Sequence, residues 1–356
     1  MIGMSRRLDH IEQLRGLAAF AVLGFHSLGI REAASLNPTL AAARTVFIHG
    51  WLGVHVFFAI SGWCIAQRIA AAYAREESPF AYLGDRALRI FPTYWAVLAF
   101  ALLMLAIAAP FNGIPFSHNI PHRPGVWLAE LTLVQPALGY GSVLIVSWTL
   151  YHELSFYVAS AGALVMRRFH FTAQSLVLMG GLVCLVVSWR APSGFLIGLS
   201  FWSNFFVGML AWWSVYRRPN FIWALALIAA LVALAREPSL SGPVAFATAL
   251  FLALAGRYPP RLPPLVGRGL LALGAASYSL YLVHVPVISP FFNLAVRVVS
   301  PASNVFIGIW ILGLALAVAA GIAVHKAVEV PCERWRHRRF VARSASKSTG
   351  TTITGP

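Results

Sequence analysis

The chain has 356 residues, of which 59% are apolar and only 11% are charged, and its mean hydropathy is +0.74. Soluble domains carry about 25% charged residues, so this composition excludes a soluble globular protein and indicates a membrane protein with several spans. The formal net charge of +16 is not accompanied by a basic stretch interleaved with aromatic residues, which argues against a nucleic-acid partner.

The first apolar stretch, from about 14 to 30, contains Arg15 and His26. These residues are 11 positions apart, close to three helical turns, so their side chains are predicted on one face of a helix. An arginine in the middle of a bilayer costs about 2.5–3.5 kcal/mol on insertion scales, so ionisable groups there indicate a functional site that faces a polar interior. Asp9 and Glu12 precede the stretch and no small-residue cleavage site follows it, which favours a retained helix over a cleaved signal peptide.

Nine further stretches approach the length of about 20 residues that a helix needs to cross a membrane. With the N-terminus inside, ten spans place 20 of the 27 lysine and arginine residues in inner segments, 6 in outer loops and Arg15 at the edge of the first span. This asymmetry follows the positive-inside rule, so we expect an all-α polytopic protein of about ten helices with both termini in the cytoplasm. The nine stretches lie near residues 51–70, 93–110, 142–166, 174–190, 194–216, 220–235, 243–256, 270–290 and 304–328.

The connecting segments predict a single membrane domain, from 1 to 340. The outer loop from 111 to 140 is rich in Pro, His and Gly and is typical of a re-entrant or lid-like segment, whereas 341–356 is predicted to be a disordered cytoplasmic tail. The three cysteines show no metal-ligand spacing, so neither a disulfide framework nor a metal site is expected.

The second stretch places Gly53, Phe57 and Ser61 four residues apart on one helical stripe. Small residues of this kind form packing seams between membrane helices, and a contact between Ser61 and a ligand is the alternative interpretation. Arg86 and Arg89 follow, one helical turn apart, before the third stretch. They are interpreted either as anchors at the membrane surface or as a clamp for phosphate, which guanidinium groups bind in bidentate fashion.

The fourth stretch contains Glu153, which shares a helix face with Thr149 and Tyr157. A carboxylate at this depth must be paired, protonated or in contact with a solvated cavity. Counted from the ends of their stretches, Glu153, Ser61 and His26 all lie near the middle of the membrane. This common depth predicts a polar tunnel between the helices.

The ninth stretch places Ser277, Tyr281 and His284 on one face, predicted near the outer end of the helix. A histidine in that position is interpreted either as a structural residue of an interfacial aromatic belt or as a substrate contact. The tenth stretch ends at Glu329 and Pro331, and Glu329 is predicted to pair with a cytoplasmic arginine.

Ordered motifs run through nearly the whole membrane region. They comprise Arg15 and His26; Gly53, Phe57, Phe58, Ser61 and Gly62; Arg86, Arg89, Pro92 and Tyr94; Ser147, Trp148, Leu150, Glu153, Phe156 and Tyr157; Phe205, Phe206 and Gly208; Ser277, Tyr278, Ser279, Leu280, Tyr281 and His284; and Glu329 with Pro331. Over residues 9–331 this set resembles the acyltransferase-3 family of integral membrane O-acyltransferases. The sequence departs from the usual pattern at Trp63 and around Glu153, where it is closer to the exopolysaccharide acetyltransferases.

The resemblance implies an acyl-CoA donor, most often acetyl-CoA, which enters from the cytoplasm as a co-substrate, and a sugar hydroxyl acceptor at the outer side. The acceptors of the family are lipopolysaccharide O-antigens, exopolysaccharides, peptidoglycan and similar glycans, which implies the bacterial inner membrane and partners from polysaccharide biosynthesis. No esterase-like domain is expected after the last span, so the chain would complete the transfer itself or pass the acyl group to a separate partner. On this basis the acyl-CoA donor is expected to bind to Arg15, Arg86, Arg89 and Ser61. The sugar acceptor is expected to bind to Tyr281, His284 and Trp148.

His26 is the predicted catalytic residue, as a neutral imidazole that accepts the proton of the attacking hydroxyl. Glu153 is expected to orient His26 or raise its basicity, Arg15 to act at the mouth of the tunnel, and a covalent acyl-His26 intermediate is the variant of this mechanism. A transporter or flippase of lipid-linked sugar is the competing class, because a proton relay also uses intramembrane His and Glu, but the sequence shows no inverted repeat. A non-catalytic scaffold does not explain ionisable groups at one depth.

Overall fold

A computed structural model describes residues 2–29, 35–113, 115–166, 201–216, 240–258 and 262–338, together with positions 228 and 260. The regular elements within these ranges are all helices. The spans predicted at 174–190 and 220–235, the first part of the span at 194–216 and the tail at 341–356 lie outside the described residues.

Eleven α-helices can be followed in the described ranges, and we number them in chain order. α1 continues into a π-helical turn, Phe25–Gly29, and α11 continues through a second π-helical turn, His325–Glu329, to Arg338. The helices are α1 Ile2–Gly24, α2 Pro38–Phe47, α3 Gly53–Ala74, α4 Pro79–Asn112, α5 Pro124–Thr132, α6 Trp148–Val165, α7 Trp202–Tyr216, α8 Ser241–Arg257, α9 Pro264–Ala275, α10 Ser277–Val298 and α11 Val305–Val324.

Four of the described helical segments are long and apolar enough to cross a membrane. They are Pro38–Ala74, Pro79–Phe111, Ser277–Val298 and Val305–Arg338. The all-helical, polytopic class predicted from the sequence is therefore confirmed, while the count of ten spans stays a prediction. α1, which carries Glu12 and Arg15 and leads into the turn with His26, is not among the four.

α3 lies at the centre of the fold and crosses α7 at very short range. A Cβ atom on Gly62 would lie 1.8 Å from the carbonyl oxygen of Phe205, and one on Gly208 would lie 1.8 Å from the carbonyl oxygen of Ala59. Small residues at such a crossing let two membrane helices approach closely enough for backbone contact. This crossing is at Gly62, beside the predicted stripe. On the stripe itself, a Cβ atom on Gly53 would lie 2.6 Å from the carbonyl oxygen of Ala18 of α1, whereas Phe57 and Ser61 face a cavity.

The ninth predicted span is two helices in the structure, because the chain breaks at Ala276 between α9 and α10. A Cβ atom on Gly274, just before the break, would lie 1.9 Å from the carbonyl oxygen of Glu12. Since His284 then meets His26, α10 runs beside α1 in the same direction. His284 therefore lies at the depth of His26, and its position relative to the membrane surface stays a prediction.

Candidate active site

A polar cavity lies between α1, α3, α4, α6 and α10. It opens to solvent, and its empty space, with the open solvent at its mouth included, is about 810 Å³. Six residues assigned to the site from the sequence line it, namely Arg15, Ser61, Arg86, Arg89, Glu153 and Tyr281. The structure thus brings together residues from five helices that are far apart in the sequence. Of the three residues on which the tunnel prediction rested, Ser61 and Glu153 line the cavity and His26 does not.

Three arginines give the cavity its cationic side. Arg15 forms an ion pair with Glu12 at 3.3 Å, and Arg86, which is 7% exposed, binds the carboxylate of Asp85. Arg89 also lines the cavity, and Glu153 is the carboxylate that lines it with them. The cavity wall therefore carries more cationic than anionic groups.

Asp85 was not singled out from the sequence, yet it joins the ends of three helices. Its carboxylate accepts hydrogen bonds from Arg86, from Arg68 of α3 at 3.3 Å and from Arg336 of the α11 extension at 3.1 Å. A carboxylate that binds several guanidinium groups restricts their rotamers. Asp85 therefore fixes the position of Arg86 at the cavity.

Glu153 lies inside the cavity with hydroxyl groups as its partners. Ser61 Oγ donates to Glu153 Oε1 at 3.5 Å, and the hydroxyl of Tyr157, one turn along α6, donates to the same oxygen. The structure therefore gives Glu153 partners other than His26, which it was expected to orient. Its position fits a role in the cavity itself.

His26 lies in the π-helical turn that follows α1 and contacts a second histidine. Its Nδ1 atom is 3.0 Å from the carbonyl oxygen of Val22 and 3.2 Å from Nε2 of His284. Turns of this kind are frequent at functional sites. The ring of His26 is partly exposed, whereas His284 is only 1% exposed.

Tyr281 connects the cavity with this histidine pair. Its hydroxyl oxygen accepts a hydrogen bond from Thr149 Oγ1 at 3.1 Å, and its ring centroid lies 5.8 Å from that of Phe57 and 5.9 Å from that of His284. The residues that line the cavity include Tyr281 and Phe57 but not His26 or His284. The cavity therefore ends at Tyr281, one side chain away from the histidine pair.

Trp148 lies outside the cavity, in an aromatic cluster at the start of α6. Its ring centroid is 5.3 Å from that of Phe201, 5.6 Å from that of His152 and 6.3 Å from that of Phe58. A buried pair, His55 and Asn204, adjoins this cluster with a contact of 2.7 Å. The structure thus separates Trp148 from Tyr281 and His284, the other residues assigned to the acceptor.

A buried carboxyl group in the segment between α4 and α6 was also missed. Glu130 of α5 is 0% exposed, accepts a hydrogen bond from Ser142 Oγ at 3.0 Å and has the hydroxyl of Tyr94 at 3.2 Å. Burial raises the pKa of Glu130 above its usual range, while the bond from Ser142 opposes the rise. An acidic residue among the apolar residues of 126–134 was the available signal.

The observed partners of Glu329 differ from the arginine predicted from the sequence. It lies in the π-helical turn after α11, where Ser279 Oγ donates to it at 2.7 Å and His325 Nδ1 lies at 2.9 Å. An arginine is not among the partners that the structure gives it within the described residues, so the predicted arginine pairing is not observed. Ser279 belongs to the first turn of α10, and the contact therefore ties the end of α11 to the start of α10.

These features define an all-helical membrane protein with a cationic cavity among its helices. The acyltransferase-3 family model, described as an acyltransferase domain, matches residues 8–326, so the chain belongs to this family and is a membrane acyltransferase. The family predicted from the sequence is confirmed.

Two relatives are similar over most of their length. One is the exopolysaccharide production protein ExoZ of Rhizobium meliloti (strain 1021), 31% identical over 85% of this chain and 96% of the relative. The other is nodulation protein 10 of Rhizobium leguminosarum bv. viciae, 26% identical over 73% of this chain and 84% of the relative. No solved structure matches the chain.

Proposed function

We propose that this protein transfers an acyl group, and specifically acetyl, from cytoplasmic acyl-CoA to a hydroxyl group of a cell-surface or lipid-linked polysaccharide. The observation that carries the proposal is the cavity, which gathers three arginines and ends at Tyr281, beside the His26–His284 pair. Family membership supports acyl transfer as the reaction class.

Acyl-CoA suits the cavity as a donor. Arg15, Arg86 and Arg89 match the phosphate groups of CoA, because guanidinium groups bind phosphate with paired hydrogen bonds. Ser277 is also among the lining residues and is 0% exposed, and its Oγ atom has no hydrogen-bond partner among the described residues. A buried hydroxyl without a partner costs about 1–3 kcal/mol, so its place in the cavity wall favours a polar ligand group as its partner.

His26 then acts as the general base. It takes the proton of the acceptor hydroxyl while the hydroxyl oxygen bonds to the thioester carbonyl carbon and the carbon–sulfur bond breaks. The proton passes to the CoA thiolate, so that the products are the O-acyl sugar and free CoA. In the covalent variant, His26 carries the acyl group between the two substrates.

The name of one relative, an exopolysaccharide production protein, supports a polysaccharide as the acceptor class. The charge asymmetry of the loops supports a bacterial inner membrane protein with both termini in the cytoplasm. In this orientation the arginine side of the cavity faces the cytoplasmic pool of acyl-CoA.

A transporter of lipid-linked sugar remains the competing function, because intramembrane His and Glu also serve proton relays. It predicts no consumption of acyl-CoA. The test therefore incubates membranes from cells that produce the protein with acetyl-CoA labelled in the acetyl group, and measures label in the polysaccharide fraction and release of free CoA.

The wild-type protein is expected to transfer label, and His26→Ala is expected to abolish transfer while the variant still inserts and still binds acetyl-CoA. Transfer that persists in His26→Ala would remove the base assignment. A wild-type protein that moves sugar but leaves acetyl-CoA intact would overturn the proposed function.

A further inference from the structure

We infer that His284 is a positioning residue that fixes the tautomer of His26, so that Nε2 of His26 is the nitrogen that performs the chemistry. The inference rests on the proposed function. It differs from the substrate contact predicted for His284 from the sequence, and it follows from the hydrogen-bond partners of the two rings.

The first step concerns the ring of His284. Its Nδ1 atom lies 3.2 Å from the carbonyl oxygen of Leu280, one turn earlier on α10. A carbonyl oxygen only accepts hydrogen bonds, so Nδ1 of His284 carries the proton. In the neutral ring the other nitrogen, Nε2, then has a free lone pair and acts as an acceptor.

The second step concerns the ring of His26. Its Nδ1 atom faces two acceptors, the carbonyl oxygen of Val22 at 3.0 Å and Nε2 of His284 at 3.2 Å. Two acceptors around one ring nitrogen require that this nitrogen carries the proton. The remaining nitrogen of His26, Nε2, therefore holds the lone pair that a general base or a nucleophile needs.

His26 and His284 differ in their exposure, as a reactive ring and a positioning ring should. The side chain of His284 is 1% exposed, and its Nε2 atom is directed at His26, so it is not available to a sugar. The ring of His26 is partly exposed, and Nε2 has no hydrogen-bond partner among the residues that the structure describes. The buried ring therefore orients the accessible one.

The same geometry serves the step after proton transfer. When Nε2 of His26 takes the proton of the acceptor hydroxyl, the ring becomes an imidazolium whose Nδ1–H still points at two acceptors. A hydrogen bond from a charged donor is roughly twice as strong as a neutral one. His284 thus supports the charge that develops during catalysis as well as the orientation of the ring.

The test compares His284→Gln with His284→Leu in the labelled-acetyl assay. The amide oxygen of glutamine reaches the position of His Nε2 and accepts a hydrogen bond, whereas leucine has a similar volume and no acceptor. We expect His284→Gln to keep kcat within a few-fold of wild type and His284→Leu to lower kcat by about 10²-fold or more, with an unchanged KM for acetyl-CoA in both.

His10→Leu is the matched control. This histidine lies on the same helix as His26, is 2% exposed and has no hydrogen-bond partner for either ring nitrogen among the described residues. Its replacement is expected to leave kcat and KM unchanged. His284→Met provides a second apolar variant if His284→Leu is not recovered as a folded protein.

Equal kcat values for the glutamine and apolar variants would overturn the inference, as would a loss confined to KM. Both outcomes presuppose transfer by the wild-type protein. An inactive wild-type protein would instead count against the proposed function, so the two failures are distinguishable.

Discussion

Gly62 of α3 and Phe205 of α7 are in backbone contact, with a distance of 1.8 Å between the position of a Cβ atom on Gly62 and the carbonyl oxygen of Phe205. Any side chain at position 62 therefore separates the two helices. We expect Gly62→Ala to destabilise the protein by about 1–3 kcal/mol, the usual cost of overpacking, and to lower its thermal unfolding temperature in detergent.

Gly84→Ala is the control for this substitution. Gly84 lies in α4, and a Cβ atom there would have no neighbour within 4 Å. This change is expected to be neutral or to stabilise by up to about 1 kcal/mol, because alanine favours the helix. Equal unfolding temperatures for Gly62→Ala and the wild-type protein would contradict the close crossing.

Ser277 offers a test of the donor cavity that does not depend on the ion pairs. Ser277→Ala removes a buried hydroxyl without a hydrogen-bond partner among the described residues, so we expect unchanged or slightly higher stability together with a several-fold higher KM for acetyl-CoA. Steady-state kinetics and thermal unfolding measure the two effects. Ser214→Ala is the control, because Ser214 Oγ donates a hydrogen bond within its own helix, α7. An unchanged KM in Ser277→Ala would exclude the Ser277 hydroxyl from donor binding.

Substitution of the two cavity arginines of α4 distinguishes a phosphate clamp from a membrane anchor. Arg86→Ala with Arg89→Ala is expected to raise the KM for acetyl-CoA at least 10-fold, since hydrogen bonds to charged groups contribute about 1.5–3 kcal/mol each. Arg75→Ala, an exposed arginine just after α3, is the control and should leave KM unchanged. If the double variant shows the same donor dependence as wild type, the arginines are anchors.

Glu130 predicts a pH dependence of stability. Burial raises the pKa of this carboxyl group in the folded protein, so the folded state favours the protonated form. Its contribution to stability is therefore full below the ordinary pKa of a glutamate and is lost as the pH rises through the folded pKa. Glu130→Gln cannot ionise and should lack this loss.

Thermal unfolding of both proteins between about pH 4 and pH 7 measures the effect. The unfolding temperature of Glu130→Gln relative to wild type is expected to rise with pH across this range. Glu76→Gln, at an exposed glutamate, should show no such trend. A constant difference between Glu130→Gln and wild type would contradict the raised pKa.

Much of the site was predictable because burial of charge in a membrane is expensive. Glu153, Ser61 and His26 were predicted at a common depth, and the structure places Glu153 and Ser61 at one cavity, with His26 outside its lining. Depth does not specify which side chains touch, however, and Glu153 contacts Ser61 and Tyr157 where His26 was expected. The periodicity of one helix carries no information on the rotation of its neighbours.

The break between α9 and α10 was not predictable for a related reason. The sequence from 270 to 290 is apolar on both sides of Ala276, so hydropathy does not show the break between α9 and α10. The segment is therefore predicted as one span, whereas the structure has two helices. Glu130 was missed because the segment that carries it was interpreted only by its content of Pro, His and Gly.

The ion pairs of Asp85 set a practical limit on how the protein can be engineered. Because one carboxylate holds both Arg86 at the cavity and Arg336 beyond the last helix, shortening the polypeptide before position 336 removes a partner from the group that positions a cavity arginine. An affinity tag or fluorescent fusion therefore belongs at a distance after Arg336, where it leaves that junction whole.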